Sequence, residues 1–175
     1  MIDVLIPCRN GGDKMLAPLV RSLEAQTAKI NIEVMFADGL LLYELRNALL
    51  KRGTGEYVYY VDADDWLQNE TALEELQEAL QYDYAWGDMW AYVTPLDKTI
   101  HINQAHPAQK PACGSWLARR DSFPPDPWQP MDRDPHRSDW IIPQTWRGTY
   151  VEVDVFTYRV AWSDKQLTAR PIIIG

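Results

Sequence analysis

Apolar and polar positions give the chain two textures, with the change near residue 83. Residues 2–6 (IDVLI) read as a buried strand stopped by Pro7, and the turn Cys8-Arg9-Asn10-Gly11-Gly12 follows. Helical spacing then runs to about Thr27, with Pro18 either in its first turn or kinking it. A second apolar strand, 32–37 (IEVMFA), ends at Asp38-Gly39. Residues 40–52 (LLLYELRNALLKR) return to helical spacing and stop at Gly53. A third strand, 57–61, runs into Asp62-Ala63-Asp64-Asp65, and a helix is predicted over 70–81. Leu73, Leu76 and Leu80 share one face of that helix, with Asp65 or Asn69 placed to cap it.

Strand–helix alternation with short links predicts a parallel sheet. Right-handed crossovers would bring Pro7, Asp38 and Asp62 to one carboxyl edge, where open α/β sheets bind ligands. Beyond residue 83, segments 84–94 and 99–104 predict antiparallel strands joined at Pro95-Leu96-Asp97. Residues 107–137 gather Pro124, Pro125, Pro127, Pro130 and Pro135, which predicts a long surface loop without regular helix or central strand. A short helix broken by Pro143 is expected over 138–147, and a strand over 149–160.

At 175 residues, 46% hydrophobic and 24% charged, the chain has the profile of one globular domain. It has no run of 18 apolar residues, and Met1-Ile2-Asp3-Val4 is not basic, so neither a transmembrane helix nor a signal peptide is expected. Two cysteines, Cys8 and Cys113, suggest a reduced cytoplasmic protein without a disulfide framework. The net charge of -8 disfavours a broad phosphate-binding face for duplex nucleic acid. It leaves room for a local basic patch from Arg119, Arg120, Arg133 and Arg137. Eight tryptophans suit either core packing or platforms for the apolar faces of sugars.

The acidic turn after the third strand is the most informative segment. Three carboxylates this close repel one another unless a cation sits between them. A hard divalent metal shared with a substrate phosphate is the usual answer. The alternative is a solvated turn leading into a helix cap. Its place at the carboxyl edge favours the functional reading.

Together the pieces resemble the family 2 glycosyltransferases. They are VLIPCRN, Gln26-Thr27, EVMFADG, Arg46-Asn47, GTGEYVYYVDADDWL, CGSWLARRDSF, Ser138-Asp139-Trp140 and Tyr158-Arg159, in the family's order. The resemblance covers roughly residues 2–160. It implies an α/β GT-A (Rossmann-like) fold, with a mostly parallel sheet and an antiparallel C-terminal part in a single domain. Residues 1–82 would bind a nucleotide sugar and 83–175 the acceptor. The implied reaction moves a sugar from a nucleotide-diphosphate donor to an acceptor hydroxyl with inversion. Asp62 would lie near the ribose and help hold the metal, and Asp64 would hold Mn2+ or Mg2+ against the diphosphate. Pro7, Arg9, Asn10 and Asp38 map to the nucleotide-binding edge, with Arg46 and Asn47 beside it. Arg46 has the alternative of pairing with a helix-face carboxylate.

Asp139 matches the family's catalytic base, and the alternative is a carboxylate favoured at a helix N-terminus. Trp140 and Trp116 would line the acceptor pocket, with core packing an equal role for Trp140. The expected donor is a UDP-sugar before other nucleotide sugars. The acceptor is a saccharide, a lipid-linked sugar or, furthest down, a modified DNA base.

Departures from the family pattern bear on base recognition and on the metal. Ala37 replaces the acid expected to contact the nucleotide base, and only six residues separate Gly39 from Arg46. Val160-Ala161-Trp162 stands where relatives carry a metal-binding histidine. His101, His106 and His136 lack metal-ligand spacing and read as surface or loop residues. Competing readings are a sugar-phosphate nucleotidyltransferase, whose glycine-rich loop 7–12 matches only faintly, and a degenerate nucleotide-sugar binder.

Overall fold

A computed structural model describes residues 1–8, 16–37, 39–93, 97–105, 114–129 and 145–160, with no side-chain account for 93 and 156–160. Arg9, Asn10, Asp38, Asp139, Trp140, Cys113, His106, His136, Arg133 and Arg137 lie outside the described residues, as does nearly all of the 138–147 segment. Three parallel strands form one side of the sheet: β1 (Ile2–Cys8), β2 (Ile30–Phe36) and β3 (Tyr57–Tyr60), in the order β2-β1-β3. The connecting helices are α1 (Leu16–Glu24) and α2 (Leu42–Arg52). After β3 come a short β4 (Trp66–Leu67), α3 (Ala72–Ala79), β5 (Tyr84–Val93), β6 (Lys98–Ile102), β7 (Trp116–Arg119) and β8 (Gly148–Val160). The sheet order is β2-β1-β3-β7-β5-β8-β4, with β6 added against β5.

Strand direction decides where the functional edge lies. β7 runs antiparallel to both β3 and β5, so β5 runs with β3, and β8 is parallel to β5. The carboxyl ends of β1, β2, β3, β5 and β8 therefore share one edge. The fold is mixed α/β with a mostly parallel central sheet plus antiparallel strands, the glycosyltransferase-like fold anticipated for the chain.

Alternation within the strands sorts the core into two layers. Ile2, Val4, Ile6, Tyr59, Val61 and Leu117 pack under α1 and α3, against Leu19, Leu23, Leu73 and Leu76. Leu5, Val58, Tyr60, Trp116 and Ala118 face α2, against Leu49 and Trp128.

Two expectations need correction. Pro7 does not stop β1, which continues to Cys8. The Leu5 carbonyl accepts the Val61 N–H and the Cys8 carbonyl accepts the Ala37 N–H, so odd-numbered backbone groups face β3 and even ones face β2. Pro7 is odd, so the N–H it lacks is the one that would next have met β3, at the Val61 carbonyl; the β3 ladder ends there while β1 continues against β2. The proline-rich region also contains β7, a central strand between β3 and β5, followed by a 3-10 turn at Arg120–Ser122. The strand sits in a proline-free gap between Pro111 and Pro124, and counting prolines across 107–137 hid its short apolar run Trp116-Leu117-Ala118.

Candidate active site

β3 delivers its acids to the carboxyl edge as expected. Asp62 follows the last strand residue, and the Asp65 N–H closes a turn onto the Asp62 carbonyl at 3.1 Å. Asp64 is exposed, Asp62 is half-buried and Asp65 is buried. Burial first, then the charges of Asp62 and Asp64, push the Asp65 carboxyl well above the usual carboxylate range. Asp65 does not cap α3. Asn69 does not cap it either: Thr71 holds the cap position without a side-chain cap bond, and the Asn69 Oδ1 accepts the Thr71 N–H at 3.0 Å in the turn that leads into the helix.

Arg46 reaches across from α2 to bond Asp62 at 3.0 Å, with its own side chain only 4% exposed. Its guanidinium lies 4.4 Å from the centre of the Trp128 ring. Asn47 holds that tryptophan in place. Its amide donates to the Trp128 carbonyl at 2.9 Å and accepts the Trp128 N–H at 3.0 Å. The Tyr60 hydroxyl donates to the Arg46 carbonyl at 3.0 Å, and its ring meets Trp128 edge-on at 5.0 Å. The Arg46-Asn47 pair thus comes to the acidic turn as anticipated, but both residues spend polar atoms on protein partners. Arg46 sets Asp62 and Asn47 sets Trp128.

Pro7 lies beside this group. Leu5 pairs with Tyr60 in the parallel register, so two residues on Pro7 and Asp62 stand level on neighbouring strands. Trp116, expected at an acceptor pocket, is instead a core residue, 2% exposed and packed against Tyr60 and Phe123. Arg119 and Arg120 form no basic patch at the site. They sit at the amino edge and bond backbone carbonyls of Tyr82, Leu80, Gly55 and Leu50.

A second polar group at the carboxyl edge was not anticipated. Asp88 on β5 is buried, and its Oδ2 lies 3.4 Å from His101 Nε2 on β6. The same Nε2 lies 3.4 Å from Asp154 on β8. Tyr150 donates its hydroxyl to Asp88 at 3.0 Å, and burial followed by this bond pushes its pKa up to about 12. His101 reads as a surface residue from spacing alone. A period-two strand pattern would have placed it opposite Trp90, its register partner, but nothing local announces Asp154, fifty residues on.

The donor set at the acidic turn consists of hard carboxylate oxygens, which suits Mg2+ or Mn2+. Among the described residues, no group of three His, Cys, Asp or Glu side chains is arranged to hold a metal ion by itself. No helix among them is long and apolar enough to cross a membrane.

No family model and no curated protein matches the chain. Solved structures do. S. aureus TarS superposes with a TM-score of 0.61 at 15% identity, over 91% of this chain and 37% of TarS. Its 1-349 portion in complex with UDP-GlcNAc gives a TM-score of 0.58 at 15% identity, over 97% of this chain and 61% of that one. HddC from Yersinia pseudotuberculosis gives 0.53 at 10% identity, over 90% of this chain and 93% of that one. The chain spans less than two thirds of the TarS chains it matches. At these identities the likeness defines the fold, a glycosyltransferase-like one.

Proposed function

We propose that this chain is a glycosyltransferase that moves a sugar from a nucleotide-diphosphate donor, a UDP-sugar first among candidates, to an acceptor hydroxyl with inversion. The observation that carries the reading is the acidic turn, with its buried third carboxyl, at the carboxyl edge of β3. The UDP-GlcNAc bound by a neighbour of the same fold supports a nucleotide-sugar donor.

The residues divide the work by geometry. Arg46 neutralises one oxygen of Asp62 and fixes its direction, leaving a half-exposed carboxylate beside the donor path. Asp64 is exposed at the same turn and would hold Mn2+ or Mg2+, with Asp62 as its neighbour. When bound, such an ion neutralises charge developing on the departing diphosphate. Pro7, Arg9, Asn10 and Asp38 would frame the nucleotide, and Trp140 the acceptor. In the transfer step, the acceptor oxygen bonds the anomeric carbon as the bond to the diphosphate breaks on the opposite face. Asp139 would take the acceptor proton.

Melting curves with UDP and other nucleoside diphosphates, with and without Mn2+, test donor binding, since a ligand of the native state raises Tm. Asp64→Ala should abolish the metal-dependent part of the shift. An unchanged shift, insensitive to EDTA, counts against the metal role. Asp139→Asn should keep donor binding and lose transfer by roughly 10²–10⁴-fold; near-normal transfer removes Asp139 from the mechanism. Turnover of nucleoside triphosphate with sugar phosphate would identify a nucleotidyltransferase instead. The second reading is a nucleotide-sugar binder without turnover. Ala37 favours it, because its N–H bonds the Cys8 carbonyl at the site edge where an acid would meet the base.

A further inference from the structure

The register of three strands places the second polar group in line with the first. Val58 pairs with Ala118 and Ala118 with Tyr84, so Tyr60, Trp116 and Trp86 are level. Two residues further along, Asp62 and Asp88 are level, at the same edge. Both continue the face that carries Tyr60, Trp116 and Tyr84 over α2. Two interstrand spacings separate them, about 10 Å. A hexose ring and its glycosidic oxygen span a gap of that order.

The β5–β8 pairing is irregular at this point, with the extra residues on β8. Between Trp86 and Met89 β5 advances three residues while β8 runs from Tyr150 to Phe156, and bulges of this kind re-aim side chains beside active sites. Gly87 allows the approach, because a Cβ there would meet the Val153 carbonyl at 2.6 Å. Asp88 is anchored from three sides. Its Oδ1 accepts the Gln104 N–H at 2.8 Å, and its Oδ2 takes the Tyr150 hydroxyl and lies against His101. It is therefore a positioning residue. The accessible groups are His101, 38% exposed, and Asp154, 43% exposed. The Trp90 ring lies 4.9 Å from the imidazole, and its buried indole N–H meets no partner among the described residues.

We propose that His101 and Asp154, set by Asp88 and Tyr150 and flanked by Trp90, form a subsite for the hydroxyls of a neutral saccharide acceptor. Beyond their mutual 3.4 Å contact, the imidazole keeps its second ring nitrogen and Asp154 its second carboxylate oxygen, which match what a sugar hydroxyl offers, one lone pair to accept and one proton to donate. The tryptophan supplies the apolar face. Charge selects the class. Asp88, Asp154 and Glu152 crowd the subsite in a chain of net charge -8, so a phosphate-bearing acceptor would be repelled. As an acceptor site it rests on the glycosyltransferase reading; as a saccharide site it stands or falls alone.

A glycan array probed with labelled wild type, His101→Ala and Asp154→Asn tests it. Neutral glycans should bind to the wild type, and both variants should lose about tenfold or more of that binding, as expected for a charge-assisted hydrogen bond. Binding by the variants equal to wild type overturns the proposal. So does a wild type that takes only phosphate- or sulfate-bearing glycans, or none. Both side chains are partly exposed, so the folds should survive, and Tm on the same samples checks this. The Tm shift induced by UDP and the other nucleoside diphosphates, taken together, separates the two readings. Its absence from a wild type that still binds neutral glycans through His101 removes the transferase assignment and leaves the subsite standing.

Discussion

Asp65 bears the electrostatic cost of the acidic turn, because it is the buried acid while Asp64 meets solvent and Asp62 has Arg46. Burial, Asp62 and Asp64 together raise its pKa well above the usual carboxylate range. The folded chain thus binds this proton more tightly than the unfolded one. Its contribution to stability is full below the unfolded value and is lost as pH rises through the folded one. In EDTA, wild type should lose stability relative to Asp65→Asn as pH climbs from about 4 upward, because the amide carries no charge to bury. Tm of both proteins across that range is the measurement, and a difference that ignores pH would contradict the assignment. The turn itself is legible in the sequence, since acids after a β-rich run are visible as letters. Which acid is buried is not legible, because burial is set by packing against chain segments distant in the sequence.

At the scale of elements, α2 joins the donor turn to the segment that follows the 3-10 turn beyond β7. Asn47 makes the join, bonding both backbone groups of Trp128 eighty-one residues away. Asn47→Ala leaves a buried N–H and a buried carbonyl without their partner, at about 1–3 kcal/mol each. For a domain of this size that is a fall of several degrees in Tm, at about 2–4 °C per kcal/mol. Asn47→Asp should also destabilise, since a carboxylate oxygen would then face the Trp128 carbonyl. Wild-type melting of either variant would show that the Trp128 backbone finds partners elsewhere. The periodicity of β1, β2, β3 and both crossover helices made the parallel half readable. β7 escaped because three apolar residues and an arginine, set among prolines, carry no period of their own. Only the open slot between β3 and β5 identifies them as a central strand.

Across the whole molecule, the two edges of the sheet do different work. The carboxyl edge collects Asp62, Asp64, Asp88, His101 and Asp154, while the amino edge is tied by a buried ion pair. Asp3 is fully buried, and its Oδ2 takes the Gly55 N–H and an Arg120 guanidinium N–H at 2.5 Å each. Asn31 donates to its other oxygen at 3.1 Å. The same guanidinium bonds the Leu50 and Gly55 carbonyls at 2.6 Å, so one side chain links β1, the α2–β3 connection and the turn after β7. Arg120→Ala would strand a buried carboxylate, a loss of about 3–5 kcal/mol, or on the order of 10 °C in Tm. Arg120→Lys should recover only part of it, because an ammonium cannot reproduce the fork that spans these acceptors. UDP affinity, measured well below the lowered Tm, should stay at the wild-type value. An Arg120→Ala protein that melts normally would remove the ion pair as a staple. One that folds but binds UDP poorly would show that the two edges are coupled through β1, the strand that carries Asp3 at its start and Pro7 near its end.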